Sequence, residues 1–317
     1  MGAHGPLGGE FGGAGVRLLL ILAAVIAGWV WVQHPHDHAD DSGTLSLARD
    51  RLVHRTHDWT PASRAELRPG VRTFTGYGQC TANFVFSDRA GNLYLGQAAH
   101  CAETSESANG CTARSHPLGT PVAISSGDTN LGTGRVITRG RLAYSSWLTM
   151  QRLGEQDRAR CAFNDFALIR LPRGVRKLVN PSMPFWGGPI GLADRGMSMS
   201  EKVFGFGRSE LRKAGSNASR QSAVTLADAR VSHGWSHSFV ARSPGIPGDS
   251  GSGYLDSAGE ALGTLSTLRM SFPMVNAIGD LRHELRYARA HSGIRGLRLE
   301  LGTVAFRPDR APHINAS

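Results

Sequence analysis

The sequence predicts an all-β fold, with two strand-rich halves followed by one late helix. Three observations carry this. Glycine is abundant, at 40 of 317 residues, while helix-like apolar spacing is scarce. From about residue 70 the chain breaks into short apolar runs bounded by Gly, Asn, Asp and Pro, which is the pattern of short strands and turns. Apolar residues make up 40% of the chain, enough to bury a sizeable core.

The strands can be taken in order. "TANFVF" (81–86) and "LYLGQAAHC" (93–101) are strand-like in the first half, and "FALIRL" (166–171) closes it. The stretch 172–188 holds Pro172, Pro181 and Pro184 and reads as a link between halves. "KVFGFG" (202–207) and "ALGTLSTL" (261–268) are the clearest strands of the second half. "GDLRHELRYARAHSG" (279–293) sets Leu281, Leu285 and Ala288 at helical spacing and is the one convincing globular helix. Strand-rich halves with a late helix point to paired β-barrels.

Ahead of these lie segments of another kind. Residues 1–15 are Gly-rich and read as a disordered cytoplasmic tail. Residues 16–32, "VRLLLILAAVIAGWVWV", are apolar apart from Arg17. The run is short for a full span and long for the core of a signal peptide. Arg17 before it and Asp37, Asp40 and Asp41 after it put the N-terminus inside and the bulk of the chain outside. We read it as a single-pass signal anchor, with a cleaved signal peptide, and hence secretion, as the alternative. Residues 33–69 are polar and read as a stalk. Its His34, His36 and His38 are of ligand type, but a flexible tract fixes no geometry, and no metal site is assigned. Residues 308–317 read as a tail.

The formal net charge is +10, and Lys occurs three times, at 177, 202 and 213. The positive charge is therefore almost all Arg, and it is scattered. No long basic run and no aromatic-basic interleaving mark a nucleic-acid surface, so none is expected. An extracytoplasmic chain meets oxidising conditions, which makes Cys80, Cys101, Cys111 and Cys161 an even set suited to two disulfides. Three pairings are open to them, and none of the spacings reads as a zinc site.

The chemistry centres on "IPGDSGSG" (246–253), where Ser250 sits among glycines beside Asp249. A serine hydroxyl needs a base to become a nucleophile, the base needs an orienting partner, and the developing oxyanion needs N–H donors. "GQAAHC" puts His100 at the end of an apolar strand. "NDFALIRL" puts Asp165 at the start of another, where Phe166, Leu168 and Leu171 would bury it. Each motif alone has a plain structural explanation: a glycine-rich loop, a polar strand end, a strand-starting acid.

Together and in this order, "AAHC", "NDFALIRL" and "GDSGSG" resemble the chymotrypsin-fold (trypsin-like) serine peptidases, the bacterial secreted branch above all. The resemblance covers about residues 70–307. It implies two packed six-stranded antiparallel β-barrels, the first about 70–172 and the second about 183–307. It implies His100 as general base, Asp165 as its orienting acid and Ser250 as nucleophile, with the N–H groups of Gly248 and Ser250 as oxyanion hole. It also implies a Cys80–Cys101 disulfide, and with it Cys111–Cys161. Ser266 matches a serine that supports the aspartate on the strand to which substrate backbone adds. No cofactor is implied, and the partner is a polypeptide substrate. Oligomeric state stays open.

The chain also departs from the family pattern. Gln97 stands where a small residue is usual, and Ile246 where a cysteine is usual. No "IVGG"-like N-terminus precedes Cys80, so either Asp249 finds a partner other than a freed amine or activation works differently. The 65 residues from His100 to Asp165 imply an insertion around 103–160. The resemblance implies a specificity pocket whose floor falls near Ser243 or Pro244, with Leu268 near a position where the family often keeps glycine to leave the pocket open. Neither floor residue is acidic, so cleavage after Arg or Lys is not favoured. A small or medium apolar residue before the scissile bond is the expectation, with an acidic one, drawn by Arg242 or Arg269, as the alternative. Two other classes of function compete with the endopeptidase: a catalytically silent or latent binding module on the same fold, and a basic protein that binds an anionic polymer. Loss of function on Ser250→Ala separates the first from an enzyme, and salt-dependent binding that survives Ser250→Ala marks the second.

Overall fold

The computed structural model describes residues 58–105, 107–126, 134–212, 219–226, 232–269 and 275–310. The apolar segment 16–32, the histidine tract and most of the stretch read as a stalk lie outside the described residues. Among the described residues, no helix is long and apolar enough to cross a membrane.

The first half contains β1 (Arg72–Thr75), β2 (Gly78–Thr81), β3 (Val85–Ser87), β4 (Leu93–Gln97), β5 (Pro121–Ser125), β6 (Val136–Ser145) and β7 (Ala167–Arg170). With β14 (Arg298–Leu299) they form an eight-stranded antiparallel sheet in the order β14-β3-β4-β7-β6-β5-β1-β2. Two neighbours along the chain, β2 and β3, therefore sit near opposite ends of the ladder. Between them the backbone changes partner. Ala82 N–H donates to Val71 O at 2.9 Å, and Asn83 N–H then donates to Gly96 O at 2.8 Å. Residues 78–87 thus act as one interrupted strand shared by β1 and β4, and the ring β1, β2/β3, β4, β7, β6, β5 comes back on itself. This is the expected first barrel, joined at one seam by chain continuity rather than by an unbroken ladder.

The second half is a closed six-stranded barrel. It comprises β8 (Lys202–Phe206), β9 (Arg220–Thr225), β10 (Ser236–Ala241), β11 (Gly253–Leu255), β12 (Ala261–Arg269) and β13 (Val275–Asp280). The late helix is α3, Leu281–His291. Asp280 caps it by accepting from His283 N–H at 2.8 Å, and His237 Nε2 lies 2.9 Å from the same carboxylate. The chain then recrosses to the first sheet as β14.

Four details differ from the sequence reading. Residues 58–69, assigned to the stalk, belong to the folded unit: Leu67 is completely buried and its N–H donates to Leu178 O at 2.9 Å. The stretch 103–160 is not an insertion throughout, because it supplies β5 and all of β6. Its remainder contributes two helices, α1 (Ser146–Leu153) and α2 (Arg158–Phe163). At eight and six residues these are too short to show a period, and they depend on local devices. Ser145 and Asp157 cap their N-termini, and Gly154 ends α1 with φ at +64°. Finally, β14 lies in the first sheet although it falls within the span read as the second barrel.

Core residues of the two halves meet directly. Phe84, Phe86, Phe166 and Leu168 of the first half pack in one buried cluster with Trp186, Phe204, Leu255, Leu281 and Leu285. Each large apolar side chain buried there contributes about 1.5–3 kcal/mol. This shared core fixes β4 and β7 against the second barrel, and both strands deliver site residues.

Candidate active site

His100 follows β4 in a 3-10 turn, Ala99–Ala102, and its ring is 24% exposed. Asp165 immediately precedes β7. The segment around it is held by Ser146, whose Oγ donates to Asn164 O at 2.8 Å and accepts from Phe166 N–H at 3.0 Å. Asp165 Oδ2 lies 2.6 Å from His100 Nδ1, and its Oδ1 accepts the backbone N–H of His100 at 2.9 Å. Ser266, on β12 of the other barrel, donates its hydroxyl to Asp165 Oδ2 at 2.7 Å. One carboxylate thus takes both a side-chain and a main-chain bond from the histidine, plus a third bond from across the interface.

The electrostatics follow from this packing. Burial opposes a charged imidazole, but the Asp165 carboxylate beside it more than offsets this, and the His100 pKa lies above the ordinary histidine value. Burial opposes a charged Asp165 too, yet the His100 charge and the bonds from His100 and Ser266 hold it below the usual carboxylate range. Nδ1 is engaged by the carboxylate, which leaves Nε2 to exchange a proton with a nucleophile.

The Ser250 loop reaches this pair through its backbone. Thr81 N–H donates to Ser250 O at 2.8 Å, and Gly251 N–H donates to Leu265 O, one residue before Ser266, at 2.7 Å. Gly251 has φ at +85°, and a Cβ there would fall 2.7 Å from Thr81 O and 2.9 Å from Ala98 N. Ser250 therefore adjoins backbone two residues from His100. Cys80 is bonded to Cys101, tying β2 to the turn that carries the imidazole, and Cys111 is bonded to Cys161. Among the described residues, the one cluster with metal-ligand spacing is Cys80, His100 and Cys101, but both of its sulfurs are spent in the disulfide.

Ile246-Pro247-Gly248-Asp249 forms a type II turn. Asp249 N–H donates to Ile246 O at 2.9 Å, and Gly248 takes φ +90°. A side chain at 248 would also strike Gln79 Oε1 at 2.0 Å, so only glycine fits. Asp249 finds its partner in Arg212, whose Nε donates to Oδ2 at 2.8 Å, while Ser209 N–H donates to Oδ1 at 2.8 Å. Arg212 continues to Ser243, donating from Nη1 to its Oγ at 3.1 Å. Leu268 lies on β12 opposite Asn276, which also holds Gly245 N–H at 2.9 Å. Arg242 is exposed.

Sequence reading did not anticipate Arg212, Ser209, Gln79 or Glu284. Glu284 on α3 is fully buried beneath Asp165, whose N–H donates to it at 3.3 Å, and Thr264 Oγ1 donates to it at 3.0 Å. Burial, then the charges of Asp165 and Asp280, push its pKa well above the carboxylate range. Its position on the apolar side of a helix was the available signal. For the other three, sequence distance hid the contact.

No protein-family model and no curated protein matches this sequence. Among solved structures the chain is similar to protease A of Thermobifida fusca, at 15% identity and TM-score 0.44, over 74% of this chain and 100% of that one. It is similar to a Nocardiopsis protease at 17% identity and TM-score 0.43, over 74% and 100%. A Cellulomonas bogoriensis chymotrypsin gives 15% identity and TM-score 0.43, over 74% and 99%.

Proposed function

We propose that the protein is an extracytoplasmic serine endopeptidase, tethered to or released from the membrane through residues 16–32. His100 takes the proton of Ser250 as the hydroxyl attacks a peptide carbonyl. Asp165 holds the imidazole in one tautomer and stabilises its cation. The N–H groups of Gly248 and Ser250 receive the oxyanion, and water activated by His100 then releases the acyl group. The observation that carries this reading is Asp165, which accepts bonds from His100 Nδ1, His100 N–H and Ser266 at once, beside the Ser250 loop. The disulfides support an oxidising location. Neither Ser243 nor Pro244 is acidic, so the proposed pocket offers a basic residue no partner, and we take a small or medium apolar residue before the scissile bond as the preference.

The test is labelling of the purified protein with a fluorophosphonate, read by intact mass beside Ser250→Ala and His100→Ala. One adduct on the wild type, absent from both variants, is expected. Failure of the folded wild type to label, or equal labelling of Ser250→Ala, would overturn the assignment.

A further inference from the structure

The Pro247–Gly248 peptide can stand in two ways. In a trans peptide the C=O and N–H point in opposite directions, so turning the plane over exchanges the places of Pro247 O and Gly248 N–H. That turnover converts a type II turn into type I, and both keep the same bond across their ends, here from Asp249 N–H to Ile246 O. Pro247 suits the second position of either turn, and Gly248 accepts either sign of φ. The turn's own chemistry therefore does not choose between them, although only one orientation offers Gly248 N–H to a substrate oxyanion.

The choice is made from outside the turn. Ser209 Oγ donates to Pro247 O at 2.6 Å. The hydroxyl has a single proton to give, and the Leu211 N–H that approaches it at 3.0 Å occupies its acceptor side. Ser209 is itself fully buried and anchored: its N–H donates to Asp249 Oδ1 at 2.8 Å, and its carbonyl accepts from Arg72 Nη2 at 3.2 Å. On the far side of Gly248 the carbonyl is taken by Gln79 Nε2 at 3.0 Å and Thr81 Oγ1 at 2.9 Å. We propose that Ser209 is a positioning residue for the oxyanion hole, latching the Pro247 carbonyl so that Gly248 N–H faces the substrate. This rests on the reading of Ser250 and Gly248 given above.

The test compares wild type with Ser209→Ala, Ser209→Cys and Ser209→Thr in the full chain, each checked for folding by circular dichroism. Three quantities are measured: kcat and KM on a peptide amide, affinity for a peptide trifluoromethyl ketone, which forms an oxyanion on binding, and affinity for the uncleaved peptide in a Ser250→Ala background. One lost hydrogen bond of ordinary strength lowers the competent fraction by up to about tenfold. Ser209→Ala is expected to lower kcat by about three- to tenfold and to weaken the ketone in proportion. KM and peptide affinity should stay within about twofold. Threonine, which keeps the donor, should restore kcat, and cysteine, a weak donor of similar size, should not; these two carry the test if alanine fails to fold. Unchanged kcat in folded Ser209→Ala or Ser209→Cys overturns the latch alone. A parallel fall of kcat and peptide affinity reduces Ser209 to a structural role. A wild type that neither turns over nor binds the ketone overturns the site assignment as well.

Discussion

Arg212 donates from both Nε and Nη2 to one oxygen of Asp249, and both side chains are buried directly behind the Ser250 loop. The other carboxylate oxygen is held by Ser209 N–H. The acid beside Ser250 is thus neutralised by a guanidinium of the same folded unit. Removing the guanidinium strands a buried charge, which costs about 3–5 kcal/mol. Arg212→Met is expected to lose that much in urea unfolding and to label slowly with the fluorophosphonate. Adding Asp249→Asn should recover part of the stability, and a double variant no better than the single would count against the pair.

Activity should fall on the acid side at a pH above the ordinary histidine value of about 6.5. The proposed mechanism requires neutral His100, and Asp165 raises its pKa in the folded protein against the opposing effect of burial. The same shift has a defined stability sign. Stabilisation by the charged imidazole is full below the unfolded histidine pKa and is lost as pH rises through the raised folded value. Asp165 is depressed, so its share is present above the unfolded carboxylate pKa and is lost as pH falls through the folded one. A kcat/KM profile whose acid midpoint lies below 6.5 would contradict the geometry. In Asp165→Asn the midpoint should move down and the rate should collapse.

Glu284 carries the opposite consequence. Its folded pKa is raised, so its contribution to stability is full below the unfolded carboxylate value and declines as pH rises above it. Glu284→Gln keeps the shape and an acceptor for Asp165 N–H without the ionisation. The variant should match wild type near pH 4 and exceed it increasingly from pH 6 to 9 in thermal unfolding. A difference independent of pH would refute the buried, protonated acid.

Gln97 is fully buried on β4, and neither end of its amide finds a partner among the described residues. An unpaired buried polar group costs about 1–3 kcal/mol. Replacing it by methionine, of similar length, should therefore raise stability by a comparable amount with little change in kcat. Destabilisation would show that the amide has a partner in solution.

The Cys111–Cys161 bridge closes a span of 50 residues and holds α2 to the 109–113 turn. A loop of that length predicts a loss of at most about 4 kcal/mol when the bridge is removed. The double variant Cys111→Ala/Cys161→Ala should show a lowered unfolding midpoint and keep most of its kcat. Loss of Cys80–Cys101, which borders His100, should lower kcat as well.

Much of this was legible because local rules apply locally. The "FALIRL" run became β7 because a strand buried on both faces is apolar throughout, and residues 281–291 became α3 because one face repeats at helical spacing. What stayed hidden was carried by contacts across the fold. Nothing near Asp249 points 37 residues upstream to Arg212, and nothing near Asp165 names Glu284, 119 residues away. The helices α1 and α2 were too short for a period to emerge, and β14, at two residues, carries no strand pattern at all.

The return of the chain to the first sheet has a consequence for how the molecule is made. Arg298 and Leu299 pair with β3, Glu300 N–H donates to Val85 O, and Arg307 N–H donates to Trp186 O. Asp165 meanwhile waits for Ser266 and Glu284. During synthesis the first sheet emerges without its edge strand, and the histidine and aspartate emerge without the residues that steady them. The nascent chain therefore cannot steady Asp165 on the ribosome until β12 and α3 have been translated, so the two halves of the candidate site are completed together and late.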